Sequence, residues 1–279
     1  MIRDFRIEDV DEVNEVIQTN VASLEIGNAE GVSLRCDKFL VFDQNGTKGI
    51  AYVTISRNDA NEKEAQVNVF VKPAFRLQGI GTALYKELEG YLIDRKPDVI
   101  SAYTRVDIEN HERFCNKVGF HKWWGSPELV YEGERFPEGD HEFERYDDAY
   151  FDQFVKMVQD AFYEVNKSND IKPYLATEES VRKYQLGNKE NVFLLVENGE
   201  ILASVTIGDG SIVNLMVSPR HQGKGLGKKA LQFGMNQLLD RGYEKVSICY
   251  MEGNRYAEKL YDSLGFKPVQ TTHVYRKFL

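Results

Sequence analysis

Two short runs in the sequence have the composition of an anion cradle. One reads Arg76-Leu-Gln78-Gly79-Ile80-Gly81-Thr82, the other Gln222-Gly223-Lys224-Gly225-Leu226-Gly227-Lys228. Each follows an alternating apolar run closed by a proline, residues 67–71 before Pro73 and 212–217 before Pro219. Apolar residues at helical spacing come next in both. Glycines at such a strand-to-helix junction leave room for a phosphate to reach the first backbone amides of the helix, which lack internal partners and sit at the positive end of its dipole. Glycine also tolerates the positive φ such a loop can require. The second loop is the more basic, crowded by Arg220, His221, Lys224, Lys228 and Lys229, whereas the first has Lys72, Arg76 and Lys86 nearby. Neither is followed by Gly-Lys-Ser/Thr at P-loop spacing and neither completes Gly-x-Gly-x-x-Gly, which weighs against kinase and dehydrogenase chemistry.

The two loops keep register with each other. Gly225 minus Gly79 and Gly227 minus Gly81 both give 146, and the same shift pairs Val67 with Val213, Asn68 with Asn214, Val71 with Val217, Asp94 with Asp240 and Gly119-Phe120 with Gly265-Phe266. The chain is therefore an internal repeat. At 279 residues it holds two domains of ordinary size, expected at 1–135 and 141–279, with the polar, breaker-rich residues 132–140 as the linker.

A third constellation lies only in the second copy. In Asn254-Arg-Tyr-Ala257-Glu-Lys-Leu260-Tyr261-Asp-Ser-Leu264-Gly265-Phe266, the residues Ala257, Leu260, Tyr261 and Leu264 share one helical face that Gly265 ends. A tyrosine on an apolar stripe is commonly core with a satisfied hydroxyl. Its company here, the basic glycine loop and Asn254, tips the reading toward function. In the first copy the constant shift places Ile108 at the position of Asn254, His111 at that of Ala257 and Cys115 at that of Tyr261. Cys115 is read as a small buried thiol rather than a nucleophile.

These motifs resemble motif A and the Asn-x-x-Ala-x-x-x-Tyr-x-x-x-Gly-Phe signature of the GCN5-related N-acetyltransferases (GNAT). The resemblance implies an α/β chain (α+β in some schemes) of two tandem GNAT folds, each a mixed, mostly antiparallel sheet flanked by helices. It implies acetyl-CoA as donor and a primary amine of a small molecule or peptide as acceptor, attacking the thioester directly. On this resemblance the donor is held by Leu215, Met216, Val217, Gln222, Gly223, Lys224, Gly225, Leu226, Gly227, Lys228, Asn254 and Ala257, its pantetheine arm lying between strands that splay after Val217. Tyr261 is then the general acid that protonates the departing thiolate. Asn254 either hydrogen-bonds the cofactor or caps its helix, and the two roles are compatible. Val71, Arg76, Gln78, Gly79, Ile80, Gly81 and Thr82 form the corresponding weaker site of a degenerate first half. Many relatives carry a glutamate base on the strand before the loop, where this chain has Asn214. The base is then a water chain or a carboxylate from elsewhere, Glu252 or Asp209. A different class stays open beside the enzyme: a non-catalytic acyl-CoA-binding or scaffold protein.

Composition sets the outer bounds. A formal net charge of -9 argues against a nucleic-acid surface. Cys36, Cys115 and Cys249 are odd in number and widely spaced, so neither a disulfide framework nor a metal site is expected. No apolar run approaches a membrane span, and a cytoplasmic protein is the simplest reading.

Overall fold

The computed structural model describes residues 1–20, 29–105, 111–140 and 142–279. Contacts divide the chain into two compact units, Met1–Trp124 with Thr272–Leu279, and Gly125–Thr271.

The first unit contains β1 (Ile2–Asp4), α1 (Val10–Gln18), α2 (Ala29–Ser33), β2 (Lys38–Asp43), β3 (Thr47–Arg57), β4 (Lys63–Val71), α3 (Ile80–Arg95), β5 (Val99–Arg105) and α4 (Glu112–Lys117). The strand β6 (His121–Tyr131) begins here and crosses the division at Gly125. Strands β1 to β5 lie side by side in chain order, antiparallel except for β4 and β5. One face packs against Leu84, Leu88 and Leu92 of α3, the other against Val13, Val16 and Ile17 of α1, each set at the three-to-four residue spacing of one helical face.

The second unit repeats the order with β7 (Glu144–Arg145), α5 (Phe151–Ser168), α6 (Glu178–Ser180), β8 (Val192–Glu197), β9 (Glu200–Ile207), β10 (Ser211–Val217), α7 (Leu226–Asp240), β11 (Val246–Cys249) and α8 (Arg255–Ser263). The final strand is β12 (Lys267–Lys277). Ala230, Leu231, Met235 and Leu238 of α7 fill one face of the sheet, and Phe154, Val155 and Val158 of α5 the other. The β2–β3 and β8–β9 hairpins turn on Asn45-Gly46 (φ 56° and 106°) and Asn198-Gly199 (φ 51° and 78°). Two consecutive positive φ values are what a tight right-twisted hairpin needs, and Asn-Gly supplies them at low cost.

The expected division at 135/141 is not where the compact units part. In the first unit the strand beside β5 is the far end of β12, with Thr272 opposite Arg105 and Lys277 opposite Ile100. In the second unit the strand beside β11 is the later half of β6, with Tyr131 opposite Val246 and Glu128 opposite Cys249. Each unit's sheet is thus completed by the closing strand of the other repeat. Nor are residues 132–140 a free linker. Asn236, 7% exposed on α7, accepts from the Phe136 amide and donates to its carbonyl at 2.9 and 3.0 Å. Arg135 pairs with Asp240, Lys245 with Glu132 and Lys229 with Asp140. Among the described residues no helix is long and apolar enough to cross a membrane.

Candidate active site

The site grows from β10. Its ladder with β9 jumps from Ile212 opposite Ile207 to Asn214 opposite Thr206, a bulge that leaves Val213 unpaired and exposed. On its other edge β10 pairs with β11 only at Ser211 and Ile212. The strands therefore part at Ile212, well before Val217, the point expected from the sequence. Among the described residues, no strand lies beside one backbone edge of β10 from Asn214 to Val217. In the first unit β4 and β5 part at the equivalent residue, Gln66, yet β4 runs against β3 without a bulge.

Beyond β10 the chain makes one 3-10 turn, Pro219–His221, and enters the glycine loop. Gly223 and Gly225 have φ of 74° and 81°, and a Cβ on either would meet nothing within 4 Å. Glycine is required here by backbone conformation, with open space above it. Gly227 has ordinary φ and sits 3.5 Å, measured from the Cβ it lacks, from Val217 Cγ2 and 3.7 Å from Leu260 Cδ2. Gly225 is the N-cap of α7, and no side chain caps that helix. The first internal bond is Lys229 N to Gly225 O at 3.2 Å. At a position where Ser, Thr, Asp or Asn would normally satisfy the amides, they are left bare toward open space, which fits a phosphate. Lys224 and Lys228 are exposed around it. Lys229 is engaged by Asp140 at 2.9 Å, and His221 Nε2 lies 3.4 Å from Glu200.

Gln222 is exposed and folds back on the end of its own strand. Its Nε2 donates to Val217 O at 3.2 Å, and the equivalent Arg76 Nε donates to Val71 O at 3.0 Å while Nη2 donates to Asn20 at 2.9 Å. The first residue of each motif braces the loop to the end of its strand. The first loop otherwise has the same backbone: Gly79 (φ 85°) is the uncapped N-cap of α3 and Gln78 donates to Ala74 O at 3.3 Å. Ile80 is buried in the core, Gly81 packs under Phe114, and Thr82 is half-buried. Cys115 is 3% exposed and burial pushes its thiol up to about 12, which suits core and not nucleophile. Ile108, expected at the position of Asn254, lies outside the described residues.

Asn254 caps α8, accepting from Ala257 N at 3.1 Å. Tyr261 is 6% exposed, edge-on to Tyr250 at 5.7 Å and tilted against Phe266 at 5.8 Å. Among the described residues nothing hydrogen-bonds its hydroxyl. The sealed-off, unpartnered hydroxyls of this unit are those of Tyr146, Ser204 and Thr206, and that of Tyr261 is not among them. Burial, with lesser effects from Cys249 and Tyr250, holds the phenol well above its usual range, and it stays a proton donor.

Of the carboxylates considered as base, Asp209 accepts from Tyr243 at 3.5 Å on the turn before β10. It is at the far end of that strand, about 20 Å from the glycine loop at 3.3 Å per residue. Glu252 is exposed at the start of the α8 segment. Asn214 donates to Gln185, at the end of a single π turn, Val181–Gln185. On the same sheet face Ser204 and Thr206 are buried with unpaired hydroxyls. Sequence reasoning missed these three residues; polar side chains alternating at 204 and 206 in an otherwise apolar strand were the available signal. A cavity of ≈ 300 Å³ opens between α5, the start of β9 and Ser218–Arg220, lined among others by Lys156, Asp160 and Glu200. Neither the glycines nor Tyr261 line it.

Two α/β units, each with an uncapped helix behind a parted strand pair, repeat one fold along the chain. The family model described as the acetyltransferase (GNAT) family matches residues 17–120 and again 143–266, and the chain belongs to that family. It is similar to a crystal structure of a GCN5-related N-acetyltransferase from Sphaerobacter thermophilus, with TM-score 0.72 and 18% identity, covering 99% of this chain and 95% of that one. It is also similar to a tandem GNAT protein from the clavulanic acid biosynthesis pathway, with TM-score 0.63 and 14% identity, covering 99% and 98%. Among curated relatives, a [ribosomal protein bS18]-alanine N-acetyltransferase of Haemophilus ducreyi is 34% identical over 68 residues, 24% of this chain and 47% of the relative. The match thus spans less than half of that relative's length.

Proposed function

We propose that the chain is an acetyl-CoA-dependent N-acetyltransferase whose C-terminal repeat transfers an acetyl group to a primary amine of a small molecule or peptide. The observation that carries this reading is the placement of Tyr261, its ring buried and its hydroxyl without a hydrogen bond to any described residue, on the helix that packs, through Leu260, against the first turn of the uncapped α7. The amides of Leu226, Gly227 and Lys228 would hold the pyrophosphate, and the unpaired edge of Leu215, Met216 and Val217 the pantetheine arm. Bound there, acetyl-CoA supplies an activated acyl carbon for the amine. Tyr261, kept protonated by its burial, would give its proton to the sulfur that leaves. Gln222 keeps the loop in shape, and Asn254 fixes the start of α8 while its amide NH₂ stays available to a ligand.

The N-terminal repeat keeps the cradle but has Cys115 where the tyrosine stands, so it is assigned a structural role. Isothermal titration with acetyl-CoA should give one site per chain, and a broad amine panel followed by thiol release should reveal turnover. A second reading, an acyl-CoA binder without catalysis, draws on the neutral Asn214–Gln185 pair, which cannot take a proton. One-site binding with no turnover on any amine would establish that reading instead.

A further inference from the structure

The cavity of ≈ 300 Å³ between α5, the start of β9 and the turn after β10 occupies a place that an ion pair bridges in the first unit. The repeat fixes the equivalence. Glu12 of α1 accepts from the Thr47 amide at 2.6 Å, and Gln153 of α5 accepts from the Ile201 amide at 3.3 Å. One residue further on, Lys48 O accepts from Lys72 N and Leu202 O from Ser218 N, both at 2.9 Å. Glu15, three residues after Glu12, therefore stands where Lys156 stands after Gln153, and Lys72 stands where Ser218 does. In the first unit those two positions meet. Lys72, its side chain 16% exposed, pairs with Glu15 at 2.8 Å and ties the helix to the turn that opens its glycine loop. In the second unit the helix position is a cation and the turn position a hydroxyl, so that brace cannot form, and Arg220 stands where the first unit has Ala74.

What lines the opening is charge of both signs beside buried apolar side chains. Met157 and Ile201 are 5% and 3% exposed. Lys156 holds Asp160 at 3.0 Å along α5, and Glu200 lies 3.4 Å from His221 Nε2. Exposed pairs of this kind contribute little and exchange partners readily. Among the described residues Arg220 has no carboxylate partner. The volume is at the lower end of the range for small-molecule sites. Two cations and two carboxylates around it match a molecule with one charge of each sign, whereas a singly charged ligand meets like charge with nothing to offset it. We propose that this cavity binds a small zwitterion of the amino-acid type, its carboxylate between Lys156 and Arg220, its ammonium toward Asp160 and Glu200, and its side chain on Met157 and Ile201. Bound there, it ties α5 to the turn at Ser218–Arg220, as Lys72–Glu15 does in the first unit, and steadies the entrance to the second glycine loop. Tyr261 does not line the cavity, so the molecule is an effector and not an acceptor. Its binding needs no coenzyme A.

Norvaline is the probe, with pentanoate and norvaline amide as its singly charged counterparts. Each is titrated, with backbone amide shifts as readout, into isotope-labelled wild type, Lys156→Met and a double variant, Lys156→Glu with Ser218→Lys, that copies the ion pair of the first unit. In wild type norvaline should shift the amides of 153–160, 200–201 and 218–220, and both counterparts should bind at least about ten-fold more weakly, the scale of one lost charged contact. Lys156→Met should weaken norvaline about ten-fold. The double variant should not bind it, while melting at or above the wild-type temperature. Hydrogen exchange at amides 223–228 should slow in the double variant and in norvaline-saturated wild type. Absence of norvaline shifts at these residues, equal affinity for either counterpart, or undiminished binding by a folded double variant overturns the site. Binding with unchanged exchange in the loop overturns the brace. Failure of wild type to bind coenzyme A would count against the donor reading alone.

Discussion

Leu77 and Gly223 occupy equivalent positions 146 residues apart, and both stand in the left-handed backbone region, at φ 61° and 74°. Leu77 holds that conformation with its side chain fully in water, 103% exposed. A branched residue there costs about 1–2 kcal/mol that glycine does not incur. The first loop thus keeps the shape of the second under strain. Leu77→Gly is expected to stabilise the protein by up to about 1 kcal/mol, since the strain released exceeds the extra chain entropy of glycine, about 0.5–1 kcal/mol. Gly223→Ala should cost about 1 kcal/mol although space around it is open. Denaturant midpoints decide both; a destabilising Leu77→Gly would mean the leucine is not strained.

Tyr261→Phe removes a hydroxyl that no protein group needs. Stability should be nearly unchanged, because the ring that fills the core is kept and no hydrogen bond to a described residue is lost. Turnover should fall roughly 10²–10⁴-fold, the scale of general acid catalysis, with acetyl-CoA affinity intact. A variant with normal turnover would take Tyr261 out of the mechanism. The same residue also sets an alkaline limit. Its folded-state titration lies above the ordinary value of 10.0, as do those of buried Tyr52 and Tyr85. Between the unfolded and folded values the native chain binds more protons, so this stability is full below about pH 10 and is lost as pH rises further. Tyr261→Phe should show a shallower loss than wild type in melts taken from pH 9 to 11.

Cutting the chain at the repeat boundary should leave incomplete sheets. A fragment of residues 1–135 lacks β12, and with it Tyr275, 1% exposed in the core of the first unit, and Lys277, which bonds Glu89 and the Val118 carbonyl. Losing an aromatic side chain of this size alone costs about 3–5 kcal/mol, a large part of the stability of an ordinary domain. The fragment is expected to be unfolded by circular dichroism and rapidly proteolysed. A cooperative melt for it would show that β12 is dispensable.

What could be read from sequence and what could not divide along chain distance. The Asn45-Gly46 and Asn198-Gly199 hairpins, the paired glycine loops and the inward face of Tyr261 follow from residues within one or two turns of each other. The pairing of β12 with β5 joins Thr272 to Arg105, and periodicity carries no information about which edge a strand will join. The bulge at Val213 was equally silent, since Val67 has the same neighbours in pattern without a bulge. Gln222 and Arg76 read as ligands because their types suit phosphate, whereas in the fold their side chains reach back to the Val217 and Val71 carbonyls. The acidic and basic residues of 132–140 looked like a linker because their partners, Asp240, Lys245 and Lys229, lie about a hundred positions away.

The three thiols should separate cleanly. Cys249 is exposed, Cys36 half-buried with its thiol raised chiefly by burial, and Cys115 buried with its thiol near 12. Thiolate is the reactive form, so a disulfide reagent at pH 8 should modify Cys249 first and leave Cys115 untouched until the protein is denatured. Mass mapping of the labelled cysteines checks the order. Early labelling of Cys115 would contradict its place in the core.

The neutral pair Asn214–Gln185 makes a kinetic prediction on the enzymatic reading. With no proton acceptor in the side chains of β10 from Ile212 to Val217, the acceptor amine must arrive deprotonated or lose its proton to water. An α-amino group, with pKa about 7.7–8.0, is substantially free base at pH 8, whereas an alkyl ammonium near 10.4 is about 0.4% so. The pH profile of kcat/KM should then follow the amine and not the protein: rising to a plateau near pH 8–9 for α-amino acceptors, and still rising at pH 10 for lysine-like ones. Asn214→Glu would place a base at the bulge and should flatten that difference, raising the neutral-pH rate with alkylamines. Identical profiles for both acceptor types in the wild type, with an inflection below pH 7, would reveal a protein base on another element and exclude water as the acceptor of the proton.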